Sequence, residues 1–157
     1  MSDVKKTRIS IIGAGALGGA VAKGLTKAGC RVLAADAYPE RLIQLKADGV
    51  ELISDNAKAI TDGEVVMFTL KSHVILRVVK EHSGLLRGKL CISLAAAVTL
   101  DMLKQAAPEA RWMRVMTNLC AALNCAFTGI TKSGATTADD LAWMKDAFEL
   151  LGEVVEA

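Results

Sequence analysis

Short runs of apolar residues alternate along the chain with segments in which apolar residues recur every three or four positions. The runs at residues 9–12, 30–36, 50–53, 64–70, 90–95 and 111–116 predict strands, and their nearly unbroken apolar character is typical of buried parallel strands. The first helical pattern begins at Leu17 and ends at Gly29, and its apolar face carries residues 20, 21, 24, 25 and 28.

Capping residues and glycines set the expected limits of the later helices. These helices are predicted at residues 39–49, at residues 56–61, after Ser72, at residues 99–105 and at residues 137–152. Ser72 and Thr99 are predicted as N-caps, and Thr137 with Asp140 as a capping box. Residues 121–132 look extended but are ambiguous, and residues 153–157 predict a last strand.

This alternation of strands and helices predicts the fold class. We expect an α/β protein with a doubly wound, mostly parallel sheet of Rossmann type, covered by helices on both faces. The first five strands are expected in the order 3-2-1-4-5. The chain has 157 residues and no linker or repeat, so residues 1–157 are expected to form a single domain.

Composition and charge exclude several functions. Hydrophobic residues make up 52% of the chain and aromatic residues 4%, and a net charge of +2 gives no basis for binding nucleic acid or an anionic membrane. The polar residues 1–8 do not resemble a signal peptide, and no apolar run reaches the length of about 20 residues that spans a bilayer. Four cysteines, at positions 30, 91, 120 and 125, have no metal-binding spacing. We expect them to be reduced core residues, in a cytoplasmic protein.

The sequence "GAGALG", residues 13–18, carries the first functional signal. It follows a predicted strand, opens a predicted helix, and precedes an acid at the end of the next strand, which together are typical of a dinucleotide-binding loop. Gly13 permits the tight turn, Gly15 lets a pyrophosphate approach the backbone, and Gly18 lets the helix pack on the sheet. The alternative is a tight turn that binds no ligand.

Asp36 is the acid at the end of the second strand. Such an acid can accept a hydrogen bond from the ribose 2′-hydroxyl of NAD, which mildly favours NAD over NADP. Arg41 is the nearest cation and can reach a 2′-phosphate, so the choice between NAD and NADP stays open. The alternative for Asp36 is a turn residue before Pro39.

Two further segments, "TLKS" at residues 69–72 and "SLAAAVT" at residues 93–99, follow the fourth and fifth strands. Their small residues leave room for a flat nicotinamide at the crevice beside the first strand. Ordinary packing of a strand end is the alternative for the second segment. His73 and His82 are expected on the surface, and Trp112 and Trp143 in the core or at an interface.

With these segments placed, the chain resembles the N-terminal dinucleotide-binding domain of the pyrroline-5-carboxylate reductase family, which completes proline synthesis. The segments "GAGALG", "TLKSH", "SLAAAVT" and "RVMTNLC" follow the order of the family's motifs. Ser72 and Ala97 stand where the family usually has proline and glycine, and "NLCAALNCAFTG" replaces a segment near the reaction centre. That last departure puts substrate handling in doubt.

The resemblance implies a set of cofactor-binding residues and no catalytic side chain or metal ligand. Residues 13–18 would bind pyrophosphate, and the other positions would contact the rest of the cofactor. The full set is Gly13, Ala14, Gly15, Ala16, Leu17, Gly18, Asp36, Asn56, Leu70, Lys71, Ala95, Ala96, Ala97 and Asn118. For Lys71 an exposed strand end, and for Asn118 a turn residue, are the alternatives.

The resemblance also implies NAD(P)H-dependent reduction of a small cyclic imine. The family's C-terminal helical domain, which dimerises and completes the substrate pocket, is absent from these residues, so turnover by this chain alone is expected to be negligible. Self-association through uncovered apolar surface is expected. The alternatives are a non-catalytic dinucleotide-binding module, or the cofactor domain of another reductase such as a β-hydroxyacid dehydrogenase or a deazaflavin-dependent NADP reductase.

Overall fold

A single mixed sheet organises the computed structural model, which describes residues 3–157. Its strands are β1 (Arg8–Ile12), β2 (Arg31–Ala35), β3 (Glu51–Leu52), β4 (Val65–Phe68), β5 (Leu90–Ser93), β6 (Arg111–Met116), β7 (Ala126–Lys132) and β8 (Gly152–Glu156). They lie in the order β3-β2-β1-β4-β5-β6-β7-β8, which confirms the predicted order of the first five. Every neighbouring pair is parallel except β6 and β7.

The helices agree closely with the expected segments. They are α1 (Ala16–Lys27), α2 (Pro39–Ala47), α3 (Asn56–Asp62), α4 (Ser72–Glu81), α5 (Leu100–Ala106) and α6 (Ala138–Glu149). Short 3-10 segments occur at Val4–Lys6, Ser83–Leu86 and Leu119–Leu123. The ambiguous residues 121–132 therefore divide between the last of these segments and β7.

Side-chain caps are present at the starts of three of the six helices, α3, α5 and α6. The Thr99 hydroxyl accepts the Met102 N–H, and Thr137 with Asp140 forms the predicted capping box. The predicted Ser72 cap is wrong, because Lys71 occupies the cap position without a side-chain bond. Ser72 is the first helical residue, and its hydroxyl instead donates to the Ala96 carbonyl, which ties α4 to the loop after β5.

Helices cover both faces of the sheet, as predicted. Apolar residues of α1, α2 and α6 form one buried cluster, and apolar residues of α3, α4 and α5 form the other. Both tryptophans are core residues, and the indole N–H groups of Trp112 and Trp143 donate to the Ala107 carbonyl and the Thr7 hydroxyl. None of the helices within residues 3–157 is long and apolar enough to cross a bilayer.

The cysteines do not all lie in the core. Cys30 and Cys91 are buried, and burial raises the pKa of the Cys91 thiol to about 12. Cys120 and Cys125 are exposed, so the prediction of four core cysteines is wrong for these two. Cys120 lies within the 3-10 segment Leu119–Leu123, and Cys125 lies two residues after its end.

One face of the sheet beyond β5 carries exposed apolar side chains. Gly129 is paired with Met116 of β6 and with Val155 of β8, which places both on the same face as Phe127. Met116, Phe127 and Val155 are 45–55% exposed. Self-association through this surface stays a prediction, which sedimentation velocity over a range of concentrations checks.

Candidate functional site

A cleft of about 1020 Å³ opens at the carboxyl ends of the central strands β1 and β4. The helices that follow these two strands, α1 and α4, lie on opposite faces of the sheet. This is the place where open α/β sheets bind ligands. Among the predicted residues, it is lined by Gly13, Gly15, Ala16, Leu17, Asp36, Asn56, Leu70, Lys71, Ala95 and Ala96. The fold therefore brings together residues from five separate segments of the chain.

The three glycines of the "GAGALG" segment, two in the loop after β1 and one in the first turn of α1, have different surroundings. A Cβ on Gly18 would collide with the Gly13 carbonyl oxygen and the Thr69 hydroxyl, so this glycine lets α1 pack on the strand ends. Gly13 has a φ of +102°, and a Cβ there would lie 3.0 Å from the Leu70 side chain. A Cβ on Gly15 would meet nothing within 4 Å, because this residue faces the open cleft.

The start of α1 has the features of an anion-binding site. The Gly19 N–H makes the first helical bond, to the Gly15 carbonyl at 2.8 Å, so the preceding N–H groups of Ala16 and Leu17 have no partner within the helix. The cap position has no side-chain bond, and the first turn has no acidic residue. Free N–H groups and the positive end of the helix dipole favour a phosphate here. These residues fit a dinucleotide pyrophosphate.

Asp36 organises the turn beside this loop. Its carboxylate accepts the Ala14 N–H at 2.6 Å and the Tyr38 N–H at 2.7 Å, and it lies 3.6 Å from the Arg41 guanidinium. Its side chain is only 3% exposed. Asp36 therefore acts as a turn residue, which is the alternative considered for it above. A hydrogen bond from a ribose hydroxyl to Asp36 stays a prediction, and it requires a carboxylate lone pair that is still open to the cleft.

Arg41 and Tyr38 form the outer wall of the cleft. The Arg41 guanidinium lies 4.5 Å from the centre of the Tyr38 ring, and its side chain is 45% exposed. Arg41 is expected from the sequence to reach the cofactor, whereas Tyr38 is not, although its position two residues after Asp36 is a signal for it. A planar cation held by an aromatic ring and a carboxylate is well suited to bind a phosphate.

The loop after β4 and the first turns of α4 form the floor. Thr69, the first residue of the "TLKS" segment, donates its hydroxyl hydrogen to the Gly13 carbonyl and so ties this floor to the glycine loop. His73 and Arg77 of α4 also line the cleft. His73 is exposed, as predicted, and the spacing of four residues on one helix face was the signal for grouping it with Arg77. Arg41, Lys71 and Arg77 outnumber Asp36 and Glu81, giving the lining a net positive charge.

Four predicted residues do not line this cleft. Ala14 contributes its N–H to Asp36, and Gly18 packs against the Gly13 carbonyl. Ala97 is exposed and has a φ of 60°, a left-handed conformation that costs an alanine energy. Asn118 is a turn residue: its side-chain oxygen accepts the Cys120 N–H at 3.1 Å at the start of the 3-10 segment. This segment packs on α1, and so directs the chain after β6 away from the cleft.

A second cleft, of about 590 Å³, lies on the other side of the glycine loop. Lys23 of α1, Gln44 of α2 and Leu119 of the 3-10 segment line it, together with Ala14 and Gly15. Within residues 3–157, no group of three or more His, Cys, Asp or Glu side chains is arranged to hold a metal ion.

Comparison with known proteins agrees with the geometry of the larger cleft. Residues 8–97, which contain the glycine loop, Asp36 and the loops after β4 and β5, match the family described as "NADP oxidoreductase coenzyme F420-dependent". The pyrroline-5-carboxylate reductases of Pisum sativum and Methanosarcina acetivorans are each 30% identical, over 95% and 98% of this chain. The chain spans 56% and 59% of the length of these two relatives.

Solved structures show the same fold. A pyrroline-5-carboxylate reductase from Coxiella burnetii superposes with a TM-score of 0.90 at 23% identity, over 96% of this chain and 58% of that one. The Plasmodium falciparum pyrroline carboxylate reductase, crystallised with NADP bound, also gives a TM-score of 0.90, at 17% identity, over 99% of this chain and 59% of that one. The chain thus belongs to the NADP oxidoreductase, coenzyme F420-dependent family, and pyrroline-5-carboxylate reductases are among its relatives, as the resemblance predicted.

Proposed function

We propose that this chain binds NAD(P)H in the larger cleft and presents it to a small cyclic imine of the pyrroline-5-carboxylate type, in proline formation. The observation that carries the proposal is the open space in front of Gly15, at a helix start whose N–H groups have no intrahelical partner. The missing side chain leaves these N–H groups accessible to a phosphate from the cleft.

Each part of the cleft has a distinct task in this proposal. The N–H groups of Ala16 and Leu17 bind the pyrophosphate, and Asn56 lies toward the adenine ribose. Leu70 and Lys71 contact the middle of the cofactor, while Ala95 and Ala96 leave room for the nicotinamide. When bound, the reduced nicotinamide supplies hydride to the imine carbon. The protein positions the two partners and excludes water, and it needs no catalytic side chain because a protonated imine is already electrophilic.

Arg41 decides the choice between the two cofactors. The sequence argument for NAD requires a free Asp36 carboxylate, whereas this carboxylate accepts two backbone N–H groups and is almost fully buried. Its charge is also partly balanced by Arg41, whose guanidinium is half exposed at the cleft. An exposed cation beside a compensated acid supports binding of a 2′-phosphate, so NADPH is the preferred cofactor.

Residues 1–157 act as a dinucleotide-binding domain, and substrate handling needs further residues. The relatives are longer than this chain, and the resemblance implies that a helical domain completes their substrate pocket. We therefore expect the chain alone to bind the cofactor and to reduce pyrroline-5-carboxylate at a negligible rate.

Calorimetric titration of the folded chain with NADPH and with NADH tests the binding step. One cofactor molecule is expected to bind per chain, more tightly for NADPH. Gly15→Ala, which places a methyl group in front of the helix start, should weaken this binding. Its matched control is Gly84→Ala, since a Cβ at Gly84 also meets nothing within 4 Å but this residue lies outside the cleft. Absence of heat with both cofactors, on protein shown to be folded by circular dichroism, would contradict the proposal.

A second candidate is a deazaflavin-dependent NADP reductase, which the description of the matched family favours. Both candidates bind NADPH, so the substrate must separate them. Oxidation of NADPH by a protein that contains this chain and the remaining part of a full-length relative is measured with pyrroline-5-carboxylate and with an oxidised deazaflavin. Reduction of the deazaflavin alone would replace the imine proposal by this second one, and reduction of neither would favour a non-catalytic binding module.

A further inference from the structure

Two exposed cysteines lie at the ends of one turn, outside the larger cleft. Both are free thiols. Cys120 lies in the 3-10 segment Leu119–Leu123, and Cys125 lies two residues after the segment ends. Cys30 and Cys91 are also free thiols, but they are buried. The proposed function makes no use of any of the four.

The turn between the two exposed cysteines brings them together. Asn124 has a left-handed backbone with φ 56°, and its N–H donates to the Ala121 carbonyl at 3.1 Å. The Cys125 N–H donates to the Cys120 carbonyl, also at 3.1 Å. This pair of bonds is a Schellman motif, in which the side chains of the first and last residues commonly make contact. Here both of those residues are cysteine.

The separation of the two residues suits a disulfide. With standard bond lengths, a 3.1 Å bond between the Cys125 N–H and the Cys120 carbonyl places the two α-carbons at most about 7 Å apart. Disulfides need about 4.4–6.8 Å between α-carbons. The Cys125 Sγ atom lies 3.6 Å from the Cys120 carbonyl oxygen, so the Cys125 side chain is directed back toward Cys120.

The turn is also held in place by the rest of the protein. The Asn124 side-chain amide donates to the carbonyls of Gly24, at 3.1 Å, and Leu150, at 2.9 Å. Ala121 is buried against α1, and it packs so closely there that a Cβ on Gly24 would collide with the Ala121 carbonyl oxygen. The two thiols therefore stay close to each other in the folded protein, which gives each a high effective concentration toward the other.

We propose that Cys120 and Cys125 form a dithiol modification site that small-molecule disulfides convert reversibly into an intramolecular disulfide. The thiolate of one cysteine attacks the small disulfide, forms a mixed disulfide with it and releases one thiol. The thiolate of the second cysteine then attacks the protein sulfur of this mixed disulfide and releases the other thiol. The two cysteines together lose two protons and two electrons, and the small disulfide takes them up as two thiols.

Peptide mass spectrometry after treatment of the folded protein with oxidised glutathione tests this site. Trypsin cleaves after Arg114 and Lys132, so one peptide, residues 115–132, carries both cysteines, while Cys91 lies in a separate peptide. We expect the 115–132 peptide to lose the mass of two hydrogens and to exceed its glutathione adduct by about tenfold or more. Reduction with dithiothreitol should restore the original mass, and Cys91 should stay unmodified.

Serine variants distinguish the proposal from ordinary surface reactivity. Cys125→Ser and Cys120→Ser change exposed side chains, and circular dichroism confirms that each variant is folded. Each is expected to retain glutathione as a stable mixed disulfide on its remaining cysteine, because no neighbour displaces it. The proposal would be overturned if the unaltered protein kept glutathione on both cysteines, formed mainly disulfide-linked dimers, or left the 115–132 peptide reduced under conditions that modify the variants.

Discussion

Substitution of Gly15 and Gly18 by alanine should separate cofactor binding from stability. Gly15 is the N-cap of α1 and Gly18 lies in its first turn, but an added methyl group would meet very different surroundings at the two positions. At Gly15 it would enter open space in the cleft, and the backbone there, with φ −70° and ψ −162°, is allowed for alanine. At Gly18 it would collide with the Gly13 carbonyl and the Thr69 hydroxyl.

The expected magnitudes follow from these contacts. Gly15→Ala replaces glycine at a helix cap, which should lower the free energy of unfolding by less than about 1 kcal/mol. The methyl group occupies the space into which the pyrophosphate must come, so the dissociation constant for NADPH should rise about tenfold or more, equivalent to about 1.4 kcal/mol. In Gly18→Ala the added methyl group overlaps atoms of Gly13 and Thr69. This overlap should lower the free energy of unfolding by about 1–3 kcal/mol, although alanine has a better helix propensity than glycine.

Thermal unfolding followed by circular dichroism and calorimetric titration with NADPH measure the two effects on the same samples. For a chain of this size, the loss in Gly18→Ala corresponds to a fall in Tm of about 2–10 °C. Gly15→Ala should unfold close to the temperature of the unaltered protein. Unchanged NADPH affinity in Gly15→Ala, or unchanged stability in Gly18→Ala, would refute the assignment of separate roles to these glycines.

Three further predictions concern Arg41, the pair of Arg111 and Asp140, and Ala97. Arg41→Ala should weaken NADPH binding about tenfold while changing NADH binding little, because only NADPH has a 2′-phosphate; equal losses for both cofactors, measured by calorimetry, would argue against the proposed preference. Asp140→Ala removes a carboxylate that accepts two hydrogen bonds from Arg111, at 2.7 and 3.0 Å, and that completes the capping box of α6. The free energy of unfolding, measured in urea, should fall by about 2–4 kcal/mol. Burial alone would raise the pKa of Asp140, but bonds from Arg111 and Thr137 outweigh it and lower the pKa. Stability from Asp140 is therefore fully present above the ordinary pKa of about 3.9 and is lost as the pH falls through the lowered value, so the difference between protein and variant should shrink only at strongly acidic pH. Ala97→Gly relieves a left-handed backbone and should raise stability by up to about 1 kcal/mol; a loss of stability in the same unfolding assay would show that φ 60° is not strained there.

The sequence predicts the central part of the fold well because its signals are local. Parallel strands buried on both faces are apolar throughout, and side-chain caps such as Thr99 and Thr137 act within a few residues of the helix that they start. The order of the first five strands is the one that Rossmann-type sheets share, and their right-handed crossovers place helices on both faces. The glycine loop was also predictable, since the strand before it and the helix after it define its context.

The remaining features depend on contacts between distant segments. Asn118 is predicted near the cofactor only through the family resemblance, but the 3-10 segment after it packs on Gly24 of α1 and turns the chain elsewhere. The Asp36 carboxylate accepts a hydrogen bond from the Ala14 N–H, a backbone group that no sequence pattern identifies. The exposure of Cys120 and Cys125 likewise follows from how the turn at Asn124 is anchored, at Gly24 and Leu150.

The central claim is that backbone N–H groups at the start of α1 bind the pyrophosphate of NAD(P)H. Titration of the isotopically labelled chain with NADPH, followed by amide proton and nitrogen chemical shifts, tests it residue by residue. The account predicts the largest shifts at Gly15, Ala16 and Leu17, with smaller ones at Lys71 and Ala96. Shifts confined to the second cleft, at residues such as Lys23 and Gln44, or no shifts at saturating NADPH, would contradict it.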